Sequence, residues 1–388
     1  MSDSFDVIVA TTEFSPFRGG LASYSESIAA GLRAAGHVVQ VLAPAYSSAI
    51  GGDSALEKIV KRYAFLPRWA PLRRRWSVAR AIMNATRGSK DVVVLATTYL
   101  SAQVCALVLA AQPRRFRLVT TVCGPELIGY PIWSPREWWR RVIWALLRRS
   151  SHRVICISEF SRRLAVQAGI RDEKLRVIYV GVDVDYFKPA PDAGAWRQKT
   201  LGHSKGPLVL TTGRLDRRKG HDIALEAIHL LRKKYPELLY VIVGNGDEEQ
   251  RLRAIVRRLG LDSHVMFAGR VSRDDLRRAY SAADVFLLPT RQEGNWVEAQ
   301  GLVVIEAGLC GAPAVVGRHG GVLEIVTHEH TGLLVDPRSP KEAAEAIDRL
   351  LTNPSLKKQL VTTAREEWSS RFSVAQMVRS TETAIWDE

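Results

Sequence analysis

Two cations set five apart are the first residues in this chain that could do chemistry. In TTGRLDRRKGHD (211–222), Arg214 and Lys219 follow an apolar run and are flanked by Gly213 and Gly220. An arginine fork and a lysine ammonium, in a loop that enters a helix, suit a group carrying several negative charges, such as a diphosphate. Arg217 and Arg218 between them read as a solvated basic turn. Further on, WVEAQGLVVIEAGLCGAP (296–313) sets Glu298 and Glu306 eight apart, with Gly301, Leu302 and Val303 between them. A helix beginning there offers free backbone N–H groups and a partial positive charge to a sugar or phosphate oxygen. A glutamate inside that helix can accept from two adjacent hydroxyls, as on a ribose. Glu306 lies in the apolar run VVIEAGL, where a carboxylate without a partner is costly.

Such residues need a frame that brings loops to one edge. Short apolar runs alternate with helix-forming stretches along the chain, the pattern of parallel sheets covered by helices. Strands are expected at 5–11, 37–44, 91–97, 117–122, 153–158 and 175–180, then at 207–213, 238–244, 264–269, 284–290 and 312–317. A helix should run from Gly20 to Ala35 and stop at Gly36, with helices near the end over about 341–352 and 355–385. DYFKPAPDAGAW (185–196) reads as a linker. The expectation is α/β: a Rossmann-like N-terminal domain over 1–188, a second over 189–370 facing it across a cleft, and a C-terminal helix, 371–388, packing back on the first. Open parallel sheets bind ligands beyond the carboxyl ends of their strands, and the candidate residues follow strands.

A hydrophobic share of 46% with 24% charged residues excludes a disordered chain. Cys105, Cys123, Cys156 and Cys310 have no CxxC spacing and read as reduced thiols. No His/Asp/Cys group has metal-ligand spacing, so no metal or other cofactor is expected. MSDSFDVIVA lacks the form of a signal peptide, and no apolar run reaches the roughly 20 residues that cross a bilayer. A cytoplasmic protein, soluble or peripheral, is expected.

GRLDRRKG (213–220), EAQGLVVIE (298–306) and GAPAVVGRHGG (311–321) together resemble the retaining family-4 glycosyltransferases of GT-B fold. GNGDEE (244–249), FAGRVSRDDL (267–276), TGLLVDP (331–337) and FSPFRGGLASY (14–24) add to the resemblance, which spans nearly the whole chain. It implies metal-independent, retaining transfer of a hexose from a nucleotide sugar, GDP-mannose or a UDP-hexose, at the inner membrane face, with the diphosphate held by Arg214 and Lys219. It further implies Glu306 on the ribose, Glu298 with the Gly301–Leu302 backbone at the transferred sugar, and Val271 reading the base through its backbone. Gly244 and Gly246 would let a loop approach the nucleotide, and Gly19 and Gly20 would approach the phosphates from the first domain. On the acceptor side Tyr24, Glu126 and Cys123 are the candidates. Many family members carry histidine where VTTVCGPEL (119–127) has Cys123, and a buried structural thiol is expected there.

Charge is lopsided: residues 1–188 carry +13, and 189–388 only +2. Residues 54–90 hold ten Lys or Arg against Glu57, with Tyr63, Phe65, Trp69 and Trp76 among them. Residues 133–149 interleave Trp133, Trp138, Trp139 and Trp144 with Arg136, Arg140, Arg141, Arg148 and Arg149. Interleaved tryptophan and arginine fit a helix lying on an anionic membrane, while a core helix with a solvated basic face would give the same pattern. The density of cations in 54–90 favours the membrane, and with it a lipid-linked or saccharide acceptor. A nucleic-acid-binding protein is the alternative from another class, but no such module is recognisable. An oxidoreductase is excluded because FSPFRGG stands where G-x-G-x-x-G would follow the first strand. An epimerase or phosphorylase on the same scaffold, or transfer to a soluble acceptor, stays open.

Overall fold

A computed structural model of the chain describes residues 6–17, 19–46, 54–64, 71–88, 91–113, 115–129, 133–202 and 206–386. The chain divides into two compact units: one of residues 1–181 with 374–388, and one of residues 182–373. The expected boundary at 188/189 therefore moves seven residues toward the N-terminus, and the C-terminal segment belonging to the first unit begins at Val374.

The first unit is built on seven strands: β1 Val7–Ala10, β2 Val39–Ala45, β3 Val60–Ala64, β4 Val93–Ala96, β5 Arg117–Val122, β6 Ser151–Cys156 and β7 Leu175–Val177. They pair in the order β3-β2-β1-β4-β5-β6-β7, all parallel. The central strands are apolar throughout because both faces are covered; β1 and β4 are buried at every position. β3 is unanticipated. Its VKRYA sequence exposes Lys61 at the sheet edge, where a charged strand blocks pairing with another chain. The helix Gly20–Ala34 packs against the C-terminal helix Val374–Trp386, and His37 anchors that helix through Glu382 at 2.9 Å.

The second unit has six strands: β8 Leu208–Thr212, β9 Leu239–Val243, β10 Val265–Gly269, β11 Val285–Leu288, β12 Ala314–Gly317 and β13 Leu333–Val335. Their order is β10-β9-β8-β11-β12-β13, again all parallel. The order reverses between β8 and β11, and in open parallel sheets the carboxyl ends of the strands at such a switch point are where ligands bind. Arg214, Lys219 and Glu298 lie on the connections that follow those two strands, and Glu306 lies on the helix that follows the second of them.

One helix was expected over 355–385, but the chain forms two, Pro354–Arg371 and Val374–Trp386. The interruption falls at Phe372, fully buried, whose carbonyl accepts from Val182 N–H at 2.7 Å. The first of these helices carries Trp368, 1% exposed, with its indole N–H on Ile325 O at 3.1 Å. Trp368 fits because Gly308 faces it; a Cβ there would stand 2.2 Å from the indole. Gly308→Val is therefore expected to destabilise the protein by roughly 1–3 kcal/mol through overpacking, measured by urea unfolding. Wild-type stability in that variant would disprove the close fit.

Candidate functional site

The loop after β8 makes a 3-10 turn, Arg217–Lys219, before the helix His221–Leu231. That turn separates the side chains of three consecutive cations, Arg217, Arg218 and Lys219. Lys219 is 6% exposed and directs its Nζ to Glu298 Oε2 at 2.6 Å. Arg218 reaches the same oxygen at 3.3 Å and also holds Asp216 at 3.2 Å. The reading of Arg218 as a solvated turn residue is thus corrected: the turn swings it inward, onto the glutamate. Arg217 does stay outside, exposed and 3.2 Å from Glu248. Arg214 is exposed too, and its guanidinium has no hydrogen bond or ion pair among the described residues. The result is a free guanidinium beside a buried, fixed ammonium.

Glu298 lies in the extended segment after β11, where its carbonyl accepts from Gly321 N–H at 2.9 Å. Burial pushes its carboxyl up, but Lys219 and Arg218 outweigh burial and hold it below the ordinary carboxylate range. It is an anion whose Oε2 is already committed to fixing Lys219. Gly301 caps the helix Leu302–Leu309 at φ +92°, a conformation that costs glycine little. The N–H groups of Leu302 and Val303 are thus at the free N-terminus of that helix, after β11.

Glu306 belongs to a second network. Tyr280 O–H donates to its Oε2 at 2.8 Å, and Thr212, the last residue of β8, lies 2.8 Å from the same phenol. Burial raises the Glu306 carboxyl above its usual range, and the Tyr280 bond offsets part of that rise. Tyr280, itself fully buried between Phe187 and Phe286, is the partner that the apolar setting of Glu306 called for. It sits 26 residues away in sequence from Glu306, in the helix Arg273–Ala282, and no motif marks it.

Gly244 and Gly246 have a nearer reason than an approaching ligand. A Cβ on Gly244 would lie 1.9 Å from Gly213 O, and one on Gly246 would lie 2.4 Å from Leu215 O. The loop after β9 is pressed onto the loop that carries Arg214, and Gly244 N–H continues the contact to Gly269 O at 2.7 Å. Val271 follows that strand end, half-buried. His221 and Asp222 are further residues that the motif reading passed over. Burial holds the His221 imidazole neutral, down to about 4. Asp222 is bound by both Arg291 nitrogens at 2.8 and 3.0 Å and is held down to about 2, the cations outweighing its burial.

In the first unit Gly19 and Gly20 stand after β1, where Gly20 begins its helix and Gly19 caps it in extended conformation. Tyr24 is in the core, 2% exposed, with its hydroxyl 3.1 Å from Thr121 Oγ1. Glu126 turns back to accept from Cys123 N–H at 2.5 Å, closing the turn after β5. Cys123 is half-buried, not enclosed as the expected buried thiol would be; burial, followed by Glu126 and Glu13, drives its thiol far above its ordinary range, which disfavours the thiolate. Tyr24 and Glu126, read as acceptor contacts, are therefore engaged inside this unit. Among the described residues no three His, Cys, Asp or Glu side chains are grouped to hold a metal ion.

Residues 18–186 match the family model Glycosyltransferase Family 4, and 192–367 match Glycosyl transferases group 1. The GDP-mannose-dependent alpha-(1-6)-phosphatidylinositol monomannoside mannosyltransferase of Mycobacterium tuberculosis is 31% identical over 354 residues, 89% of each chain. This chain is a family-4, group 1 glycosyltransferase. The Mycolicibacterium smegmatis mannosyltransferase of the same description is 30% identical over 353 residues, 90% of each. Among solved structures, Anabaena HepE in complex with UDP superposes with a TM-score of 0.78 at 23% identity, over 98% of this chain and 99% of that one. Sucrose-phosphate synthase of Thermosynechococcus elongatus gives 0.81 at 24%, over 97% and 98%. The glycosyltransferase thus has the GT-B fold of two parallel-sheet α/β domains, and the oxidoreductase and nucleic-acid readings fall away.

Proposed function

We propose that this glycosyltransferase moves mannose from GDP-mannose to a lipid-linked acceptor at a membrane surface, with retention of configuration and without a metal. The carrying observation is the buried Lys219–Glu298 pair, 2.6 Å apart, beside an exposed Arg214 at the carboxyl end of β8. Breaking the sugar–phosphate bond adds charge to the diphosphate. Lys219, already oriented by Glu298, and Arg214, free to fold onto the phosphates, would take up that charge. Such fixed cations serve the role that a divalent ion plays elsewhere. The departing phosphate oxygen would accept the acceptor's proton on the face it leaves, which is the route to retention. Glu306, oriented by Tyr280, would accept from the ribose hydroxyls, and the N–H groups at Leu302 and Val303 would meet a sugar or phosphate oxygen. The donor is inferred from the two mycobacterial relatives, whose description names GDP-mannose.

A thermal-shift series with GDP, UDP, ADP and their sugar conjugates tests the donor. GDP-mannose is expected to raise the melting temperature most, since a ligand stabilises the state that binds it. A shift with UDP-glucose and none with GDP-mannose would overturn this choice.

Support for the membrane lies on two helices of the first unit, Pro71–Ala85 and Pro135–Ser150. Leu72 and Trp76 on the first, Trp138 on the second and Trp133 just before it are 78, 65, 66 and 88% exposed, and Arg73 and Arg80 on the first helix and Arg87 just beyond it are exposed too. Not every residue of the basic, tryptophan-rich stretches belongs to this surface. Trp144 is in the core, stacked 5.6 Å from Tyr99 with its N–H on Glu126 O at 3.2 Å. Buried Glu137 engages Arg140 and Arg141 at 2.7 and 2.9 Å, and Arg75 lies over Trp139. Phe65, Arg68, Trp69 and Lys90 lie outside the described residues. No described helix is long and apolar enough to cross a membrane. Anionic liposomes should bind the protein, and Arg73→Glu with Arg80→Glu and Trp76→Ser should weaken binding at least about tenfold, with each exposed cation worth about 1 kcal/mol. Unchanged sedimentation with liposomes would remove this surface from the proposal.

A further inference from the structure

The carboxyl ends of β8, β9 and β10 lie side by side, and the connections that leave them are bonded to one another. Gly213 N–H donates to Val243 O at 2.9 Å and Leu215 N–H to Asn245 O at 3.1 Å, joining the connection after β8 to the one after β9. Gly244 N–H then reaches Gly269 O, at the end of β10. At the far end of this row Arg270, just past β10, donates its Nε–H to Asn245 Oδ1 at 2.8 Å, and both residues are exposed. That bond holds the guanidinium in place and uses one oxygen of the amide. The two terminal nitrogens of Arg270 and the amide nitrogen of Asn245 have no partner among the described residues. Beside them Val271 is half-buried, and its main-chain N–H and C=O are likewise without a hydrogen bond among the described residues.

With the diphosphate on Arg214 and Lys219 after β8, and the sugar toward β11, the nucleoside is left with the other side of the row. Neighbouring strands lie about 4.8 Å apart, so the ends of β8 and β10 are separated by roughly 10 Å, within the reach from diphosphate to base. This placement rests on the donor site proposed above. A single backbone N–H and C=O do not choose a base, because uracil, adenine and guanine each set a donor beside an acceptor on their pairing edge. Selection needs a side chain. On its other edge guanine presents two acceptors, N7 and O6, where adenine sets the N6 donor beside N7. Uracil has no N7. The open nitrogens of Arg270 and Asn245 only donate, so they match guanine and would confront the adenine amino group with further N–H groups. We propose that Arg270, braced by Asn245, selects a guanine base through N7 and O6 and so sets the nucleotide of the donor.

The test is calorimetric titration of the full chain with GDP, 7-deaza-GDP, UDP and ADP. 7-Deaza-GDP differs from GDP in lacking the N7 acceptor. The wild-type protein should bind GDP more tightly than the other three. Arg270→Ala should weaken GDP roughly 5- to 150-fold, the range of one two-bond contact to guanine. It should also bind GDP and 7-deaza-GDP alike, with UDP and ADP unchanged. Arg270 is exposed, so the variant should keep the wild-type melting temperature in the absence of nucleotide. Equal wild-type affinity for GDP and 7-deaza-GDP would overturn the proposal without any variant. So would a loss in Arg270→Ala shared by GDP, UDP and ADP, the mark of a charge acting on the phosphates, or a preference for GDP that survives in that variant. Each of these outcomes leaves the donor assignment standing. A wild-type protein that prefers UDP or ADP would remove GDP-mannose as the donor, and this inference with it.

Discussion

Lys219→Ala should reduce sugar transfer about 10²- to 10³-fold, as expected for the loss of one preorganised charge-stabilising donor, and should destabilise the protein as well. Removing one partner of a buried ion pair costs roughly 3–5 kcal/mol, because the other charge stays in a poorly solvated place. Here that charge is Glu298, with Arg218 at 3.3 Å as its remaining cation. The pH dependence separates this from a general loss of packing. In the intact protein Glu298 is held below its ordinary range despite burial. Its contribution to stability is therefore complete above the unfolded value of about 4.3 and is lost as acid protonates it. Without Lys219, burial dominates and the folded value rises above the unfolded one. The carboxylate then costs stability at neutral pH, and the cost fades as pH falls. The melting-temperature deficit of Lys219→Ala should be largest near about pH 7 and shrink toward about pH 5. Adding Glu298→Gln should restore stability at neutral pH without restoring transfer. A deficit that grows on acidification, or transfer at the wild-type rate, would contradict the pair's assigned role.

Glu306→Ala is expected to act through a different quantity. A hydrogen bond to a charged group is worth about 1.5–3 kcal/mol, so losing the carboxylate should weaken nucleoside diphosphate binding roughly 10- to 150-fold, with transfer falling in step at limiting donor. Tyr280→Phe should give a smaller loss in the same direction, since the carboxylate remains but its 2.8 Å anchor is gone. The same bonds predict weaker nucleotide binding as pH falls, because burial already raises the Glu306 carboxyl and its protonated form accepts less well. Calorimetric titration with GDP measures all three effects. Equal affinity in Glu306→Ala and wild type would place the ribose elsewhere.

The contrast between these residues shows what could be read from the chain and what could not. Strands such as VIVA in β1 and VVLA in β4 announce themselves because burial on both faces leaves only apolar residues. β3 was hidden because an edge strand needs charge, and VKRYA carries it. The candidate site was legible where glycine and charge coincide, after a strand at Gly213–Arg214 and before a helix at Glu298–Gly301. It was illegible where a side chain's direction decides. RRK offers three cations in a row, and only the 3-10 turn of Arg217–Lys219 turns two of them onto Glu298 and one away. Tyr280 was missed because its role depends on a fold contact across 26 residues. The tryptophans of 133–149 were split the same way: Trp138 faces out and Trp144 in, a difference of six positions on one helix that composition cannot register.

The assignment of residues 374–388 to the first unit bears on how the protein is made. The second unit is one uninterrupted stretch, 182–373, and every residue it needs has been synthesised before the last helix is complete. The first unit, although its strands are translated earliest, lacks the helix Val374–Trp386 and the His37–Glu382 contact until residues 374–386 have been made. Domains usually complete themselves in the order they emerge; here that order is reversed. A chain cut or stalled before residue 374 would thus expose the wall of the helix Gly20–Ala34 that Val374–Trp386 covers, while leaving the sheet of the second unit whole.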